Sequence, residues 1–206
     1  RKINYIVVNI NADRSTSITG AQAVSPAANT SNNQRFWIVG FAYDTNVNKF
    51  CIIYAQDRDE GSLSHGYGEG YPFVQIGSHS SGTTYTWGSR SQIDTSIRKI
   101  DSDRSDMCFN NTSNCIVWFF GDYQSGRSGG SYQAHYIVGE ISSSSNTITW
   151  RNKTRLTSVN DTIYKPKCIH DPTSGKTILV YRGNNAGGIS PSSKNFGCHT
   201  LTVNSN

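Results

Sequence analysis

A pair of hairpins recurs along this chain, and the recurrence constrains the fold more than any other feature. Residues 73–87 align without a gap on residues 136–150, at an offset of 63. Each stretch reads as an apolar strand, a Ser/Gly/Asn turn and a second strand ending Thr-Trp, at Trp87 and Trp150. Residues 5–19 repeat the pattern with one more turn residue. A second hairpin precedes this one. It runs from Phe41 to Asp44, through a polar turn, and on from Lys49 to Tyr54. It returns at 108–111 with 115–119, and at 168–171 with 176–181. Aligning Tyr54, Phe119 and Tyr181 gives spacings of 65 and 62. Alternating segments joined by polar turns are antiparallel strands, so one unit holds four strands, a to d.

Four-stranded antiparallel units repeated at this length are the sequence sign of propeller blades. The expected fold is all-β, with antiparallel blade repeats of about 62 residues, β-propeller-like. The pattern resembles the propeller repeats of secreted and surface proteins, including sialidase-like propellers and phage tail-fibre repeats that end Ser-Gly-Thr-x-x-x-Trp, here Ser81 to Trp87. The resemblance covers nearly the whole chain and implies a fold and an extracellular setting. It does not extend to the sialidase box Ser-x-Asp-x-Gly-x-x-Trp: Gly82 lies five residues before Trp87 and no Asp occupies the turn. No sialidase catalytic residue is therefore carried over. The competing architecture is a β-sandwich with duplicated hairpins.

In this frame the chain is a single repeat domain, 1–206. Residues 1–35 form a half blade, 36–104 and 105–165 two blades, and 166–206 a blade without its strand d. Three explanations fit the incomplete ends. The chain, which opens at Arg1 without a Met, is cut from something longer; its N-terminal strand closes its last blade; or neighbouring chains complete each other. An open sheet edge invites the last of these.

Composition supports strands. The chain has 19 Ile and 11 Tyr against 4 Leu and 1 Met, and β-branched and aromatic residues suit pleated sheets better than helices. No run approaches 18 apolar residues, so no helical membrane span is expected. The net charge is +5, but charged residues are only 16% and the basic ones are scattered. That argues against nucleic acid, whose partners concentrate Lys and Arg on one face.

Candidate chemistry is sparse. The b–c connections are long and Gly-rich, and loops on a rigid scaffold are where ligands bind. Asp57, Asp59, Tyr67, Tyr123, Arg127, Arg182 and Asn184 are their candidate contacts to a sugar or receptor. Asp57, Asp59 and Glu60 lack the EF-hand series and read as a solvated acidic loop rather than a calcium site. Asp59 with Glu69 or Asp122 would need a defined separation to act as acid and base. The His and Cys spacings match no metal motif, and no nucleophile elbow or nucleotide loop occurs. No cofactor and no enzymatic activity are expected.

Among the five cysteines, Cys108 and Cys115 flank one hairpin turn and are the disulfide candidates, while Cys51 reads as a buried free thiol. Five Asn-x-Ser/Thr sequons fall at Asn29, Asn110, Asn111, Asn152 and Asn160, and all read as turn or connection positions open to glycosylation. The resulting expectation is a non-enzymatic extracellular structural subunit, assembling with copies of itself into a fibre or layer. The alternative is a carbohydrate- or receptor-binding module that uses the b–c loops.

Overall fold

The computed structural model of the chain describes residues 3–10, 12–18, 20, 22–24, 36–56, 69–81, 84–94, 96–97, 100–124, 131–156, 163–183 and 195–204. Over these residues it is all-β and antiparallel, with one turn of 3-10 helix at Ser102–Arg104. At the N-terminus β1 (Asn4–Tyr5), β2 (Val8–Ile10), β3 (Thr16–Ile18) and β4 (Gln22–Ala23) form an interrupted hairpin, β1 on β4 and β2 on β3.

Three larger sheets follow. The first contains β5 (Phe36–Asp44), β6 (Lys49–Gln56) and β7 (Glu69–Ser81). Along β7 pair β8 (Thr84–Trp87), β9 (Ser91–Gln92) and β10 (Ile100–Asp101). The second has β11 (Ser105–Asn110), β12 (Cys115–Gln124) and β13 (Ser131–Ile141), with β14 (Ile148–Trp150) and β15 (Thr154–Arg155) sharing β13. The third is β16 (Tyr164–Asp171), β17 (Lys176–Gly183) and β18 (Asn195–Thr202). Beyond Trp87 and Trp150, where the aligned repeat ends, the chain adds β9, β10 and β15. Strands of two residues are too short to leave a periodic signal.

Each large sheet opens with the same turn. Asp44, Asn110 and Asp171 end its first strand and sit opposite Lys49, Cys115 and Lys176 in the ladder. Asp44 Oδ1 accepts from the Asn46 amide at 2.9 Å, Asp171 Oδ1 from Thr173 at 3.0 Å, and Asn110 Oδ1 from Ser113 at 2.9 Å. The residue before the second strand has positive φ: Asn48 at 54°, Asn114 at 50° and Gly175 at 68°. An Asx side chain closes such a turn, and Asn or Gly accepts the left-handed conformation.

The sheets stack face on face in chain order. Cys51, Ile53, Val74 and Ile76 of the first meet Ile116, Trp118, Phe120 and Ile137 of the second. From its opposite face the second sheet sets Cys115, Val117, Phe119 and Val138 against Leu179 and Tyr181 of the third. Behind the first sheet, Ile52 and Tyr54 are covered by Ile3 and Val24 of the N-terminal segment. β11 also lies along both β5 and β16, so the first strands of the three sheets run side by side.

This arrangement corrects the alignment of Tyr54 with Phe119. Tyr54 faces back toward the N-terminal strands, whereas Phe119 faces forward to the third sheet; Trp118 and Phe120 are the residues that face back. A slip of one residue exchanges the faces of a strand. Inside β6 and β12, apolar on both faces, that slip is invisible in the sequence. Trp87 and Trp150 do match: each indole stands opposite a glycine, Gly77 and Gly139. A Cβ at these glycines would lie 2.8 Å and 2.5 Å from the indole Cε3. The Gly-to-Trp spacing differs by one residue, which the ladder of β7 and β8 absorbs in a register shift between His79 and Ser81.

Candidate interaction surfaces

β17 carries Ile178, Leu179, Val180 and Tyr181 in succession, the run of a strand buried on both faces. Only one face is buried. Thr177, Leu179 and Tyr181 point into the stack, where they occupy the place that Ile116, Trp118 and Phe120 hold in the second sheet. The ladder puts Ile169 and Thr200 beside Ile178, Lys167 and Cys198 beside Val180, and Phe196 beside Arg182, all on the outer face. There Ile169 is 65% exposed, Val180 44% and Phe196 83%. In the first two sheets the equivalent face receives the next sheet. Among the described residues β18 pairs with β17 alone, whereas β7 and β13 carry strands on both sides.

The other end of the stack is also apolar. Ile38 and Phe41, 52% and 54% exposed, share the rear face of the first sheet with Tyr43 and Phe50. Their rings form a connected set: Phe41 on Phe50 at 5.4 Å, Tyr43 on Phe50 at 4.6 Å, and Phe50 on Tyr85 at 5.0 Å. A groove of 350 Å³ runs between this face and the segment from Asn4 to Val8. Beside it Ile10 and Ile18 of the β2–β3 hairpin stand exposed.

Of the loop residues proposed from sequence, Asp57, Asp59, Tyr67, Arg127 and Asn184 lie outside the described residues, as does Glu60. Tyr123 is placed in β12 opposite Tyr132, by its backbone. Arg182 is half-buried, its guanidinium 5.6 Å from the Tyr164 ring, which Arg104 also faces at 5.2 Å. The Tyr164 hydroxyl donates to Asp103 Oδ2 at 3.2 Å. Arg182 is thus engaged within the third sheet. Asp122, weighed as an acid or base, is buried in an ion pair with Lys153 at 2.6 Å.

The expected Cys108–Cys115 disulfide is corrected. All five cysteines are free. Cys108 stands opposite Val117 and Cys115 opposite Asn110, so the two are diagonal rather than facing. Cys51 is fully buried, and burial pushes its thiol pKa up. The sequons divide as well. Asn111 and Asn152 are exposed, and Asn29 and Asn160 lie outside the described residues. Asn110 does not fit as an acceptor. It is fully buried, and its Nδ2 donates to Thr177 Oγ1 at 3.1 Å while its Oδ1 closes the hairpin turn.

His135, on β13, gives the stack a pH dependence. It is buried against Phe120, with Nδ1 3.0 Å from the Gln133 carbonyl oxygen. Burial above all, with Lys153 and Arg155 adding to it, lowers its pKa below 6.5, against the opposing pull of Gln133 and Asp122. The folded state thus holds the neutral ring more strongly than the unfolded chain does. The stability it contributes is present above pH 6.5 and is lost as pH falls through that value toward the folded pKa. Denaturation midpoints measured between about pH 7.5 and about pH 5 are expected to fall with acidification, and His135→Gln should flatten that slope. A slope unchanged by the substitution would assign the effect to another group.

Among the described residues, no helix is long and apolar enough to cross a membrane, and no three His, Cys, Asp or Glu side chains gather to hold a metal ion. Comparison of the chain with family models, with curated proteins and with solved structures gives no match.

Proposed function

We propose that this chain is a non-enzymatic extracellular structural subunit of propeller-like blades, which joins copies of itself head to tail. The observation that carries the reading is the outer face of the third sheet. β17 has the composition of a doubly covered strand, yet its own Val180, with Ile169 and Phe196 on the strands beside it, is solvent-exposed. The occupant is a second copy of the chain, through the differently built apolar end at Ile38, Phe41, Ile10 and Ile18. Two unlike surfaces at opposite ends of one stack make a heterologous contact, which propagates into a ring or an open filament. The edge of β18, which among the described residues pairs with β17 alone, would add backbone pairing, which gives affinity, while alternating side chains fix the register. The side-by-side first strands support the blade reading. The extracellular setting is supported by the exposed sequons at Asn111 and Asn152 and by a chain with 28 Ser, 18 Thr and 19 Asn.

Light scattering over a range of concentrations tests this. The mean mass of the intact chain is expected to climb with concentration. Val180→Lys with Phe196→Asp, both on the outer face, should hold it at 22.7 kDa without loss of strand signal. An intact chain that stays monomeric at the highest concentration, or a double variant that associates equally, would overturn the proposal.

A further inference from the structure

Cys108 and Cys168 lie in different sheets, 60 residues apart in the chain, and the packing brings them together. On β11, Asp106, Cys108 and Asn110 alternate onto the face turned to the third sheet. Asp106 Oδ2 accepts from the Cys168 amide at 2.8 Å, and Asn110 Nδ2 donates to Thr177 Oγ1 at 3.1 Å. Cys108 stands between these two anchors. On β16, Cys168 alternates with exposed Lys167 and Ile169, so its side chain turns inward, onto the core between the sheets. β11 lies along β16, and the two thiol side chains meet across that seam. Cys115, on the neighbouring strand, belongs to the same core but faces Asn110 in the ladder.

We infer that Cys108 and Cys168 are a disulfide-forming pair, whose oxidation by a small-molecule disulfide ties the first strand of the second sheet to the first strand of the third. The exchange can start at either thiol of the pair, and from Cys108 it runs as a two-step displacement. Cys108 Sγ releases its proton and attacks one sulfur of the oxidant, whose S–S bond breaks; the departing half leaves as a thiolate and takes up a proton. Cys168 Sγ then loses its proton and displaces the second half in the same way. Two protein S–H bonds and one oxidant S–S bond become one protein S–S bond and two oxidant S–H bonds, the protein thiols being oxidised and the oxidant reduced. The cross-link closes a long loop and fixes the sheet that carries the exposed outer face. It is independent of association, because both thiols belong to one chain.

The test uses the full chain with Cys198→Ser, which removes the exposed thiol from intermolecular exchange. The protein is equilibrated with glutathione disulfide, unreacted thiols are alkylated under denaturing conditions, and the peptides are mapped without reduction. A peptide pair joined through Cys108 and Cys168, lighter by two hydrogens, is expected, with Cys51 and Cys115 alkylated. The oxidised protein should melt about 5–15 °C above the reduced one. Cys108→Ser should abolish both the joined pair and the rise, while Cys115→Ser leaves both. A Cys108–Cys115 link, or complete alkylation of all four remaining thiols, would overturn the assignment; the map of the otherwise unaltered chain decides even if Cys108→Ser does not fold.

Discussion

Trp118→Ala is expected to destabilise the chain by about 3–5 kcal/mol, the cost of removing a large aromatic side chain from a closed core. Trp118 is fully buried between the first and second sheets and stacks on Phe120 with ring centroids 4.1 Å apart. Its indole Nε1 donates to Ser105 Oγ at 2.6 Å, and Ser105 Oγ donates in turn to the Val39 carbonyl at 2.6 Å. One side chain thus fills the gap between two sheets and orients the hydroxyl that links β11 to β5. Against a total of about 5–15 kcal/mol for a domain, the loss brings the chain close to unfolding at room temperature. Trp118→Phe keeps most of the packing and removes the donor, so about 1–2 kcal/mol is expected. Urea denaturation gives both values. A Trp118→Ala cost under about 1 kcal/mol would show that the two sheets do not pack through this residue.

Lys153→Met should cost a comparable amount, about 3–5 kcal/mol, by a different mechanism. Asp122 sits at the end of β12 with its side chain 1% exposed, and the Lys153 ammonium reaches its Oδ2 at 2.6 Å from the chain between β14 and β15. Removing the ammonium takes the positive charge away from Oδ2 of a buried carboxylate, so less of its desolvation cost is offset. The same reasoning predicts rescue. Lys153→Met combined with Asp122→Leu removes both charges and should be more stable than either single variant. Denaturation of the four proteins as a double-mutant cycle checks this, with a coupling of opposite sign to the single losses. Additive losses would place Lys153 outside the fold's electrostatics.

The hairpins were legible because their chemistry is local. Asp44, Asn110 and Asp171 at the start of a turn, with Asn48, Asn114 and Gly175 at its end, spell out the geometry in five consecutive residues. Trp87 and Trp150 were legible for a similar reason, since each needs a glycine across the ladder and the repeat supplies one. What depends on contact between sheets left no trace in any window. The meeting of Cys108 with Cys168 joins residues 60 apart, and the turn-flanking pair Cys108 and Cys115 offered a nearer but misaligned partner. Asn110 reads as a sequon in a polar turn, and only the packing of β11 on the third sheet shows it closed off by Thr177. Facing was lost where β12 is apolar from Cys115 to Phe120, because burial on both sides erases the alternation that would tell Trp118 from Phe119. The same property bears on the proposal in β17, where four apolar residues run in succession and Val180 is nonetheless exposed.

Amide hydrogen exchange of the intact chain at low and high protein concentration tests the head-to-tail account most directly. Protection is expected to rise with concentration in β18 and in the outer residues around Ile169 and Val180, and together with them around Ile38 and Phe41, while β12 stays protected throughout. Protection that rises at neither end, or rises at one end with its counterpart unchanged, would contradict a contact between the two unlike faces of the stack.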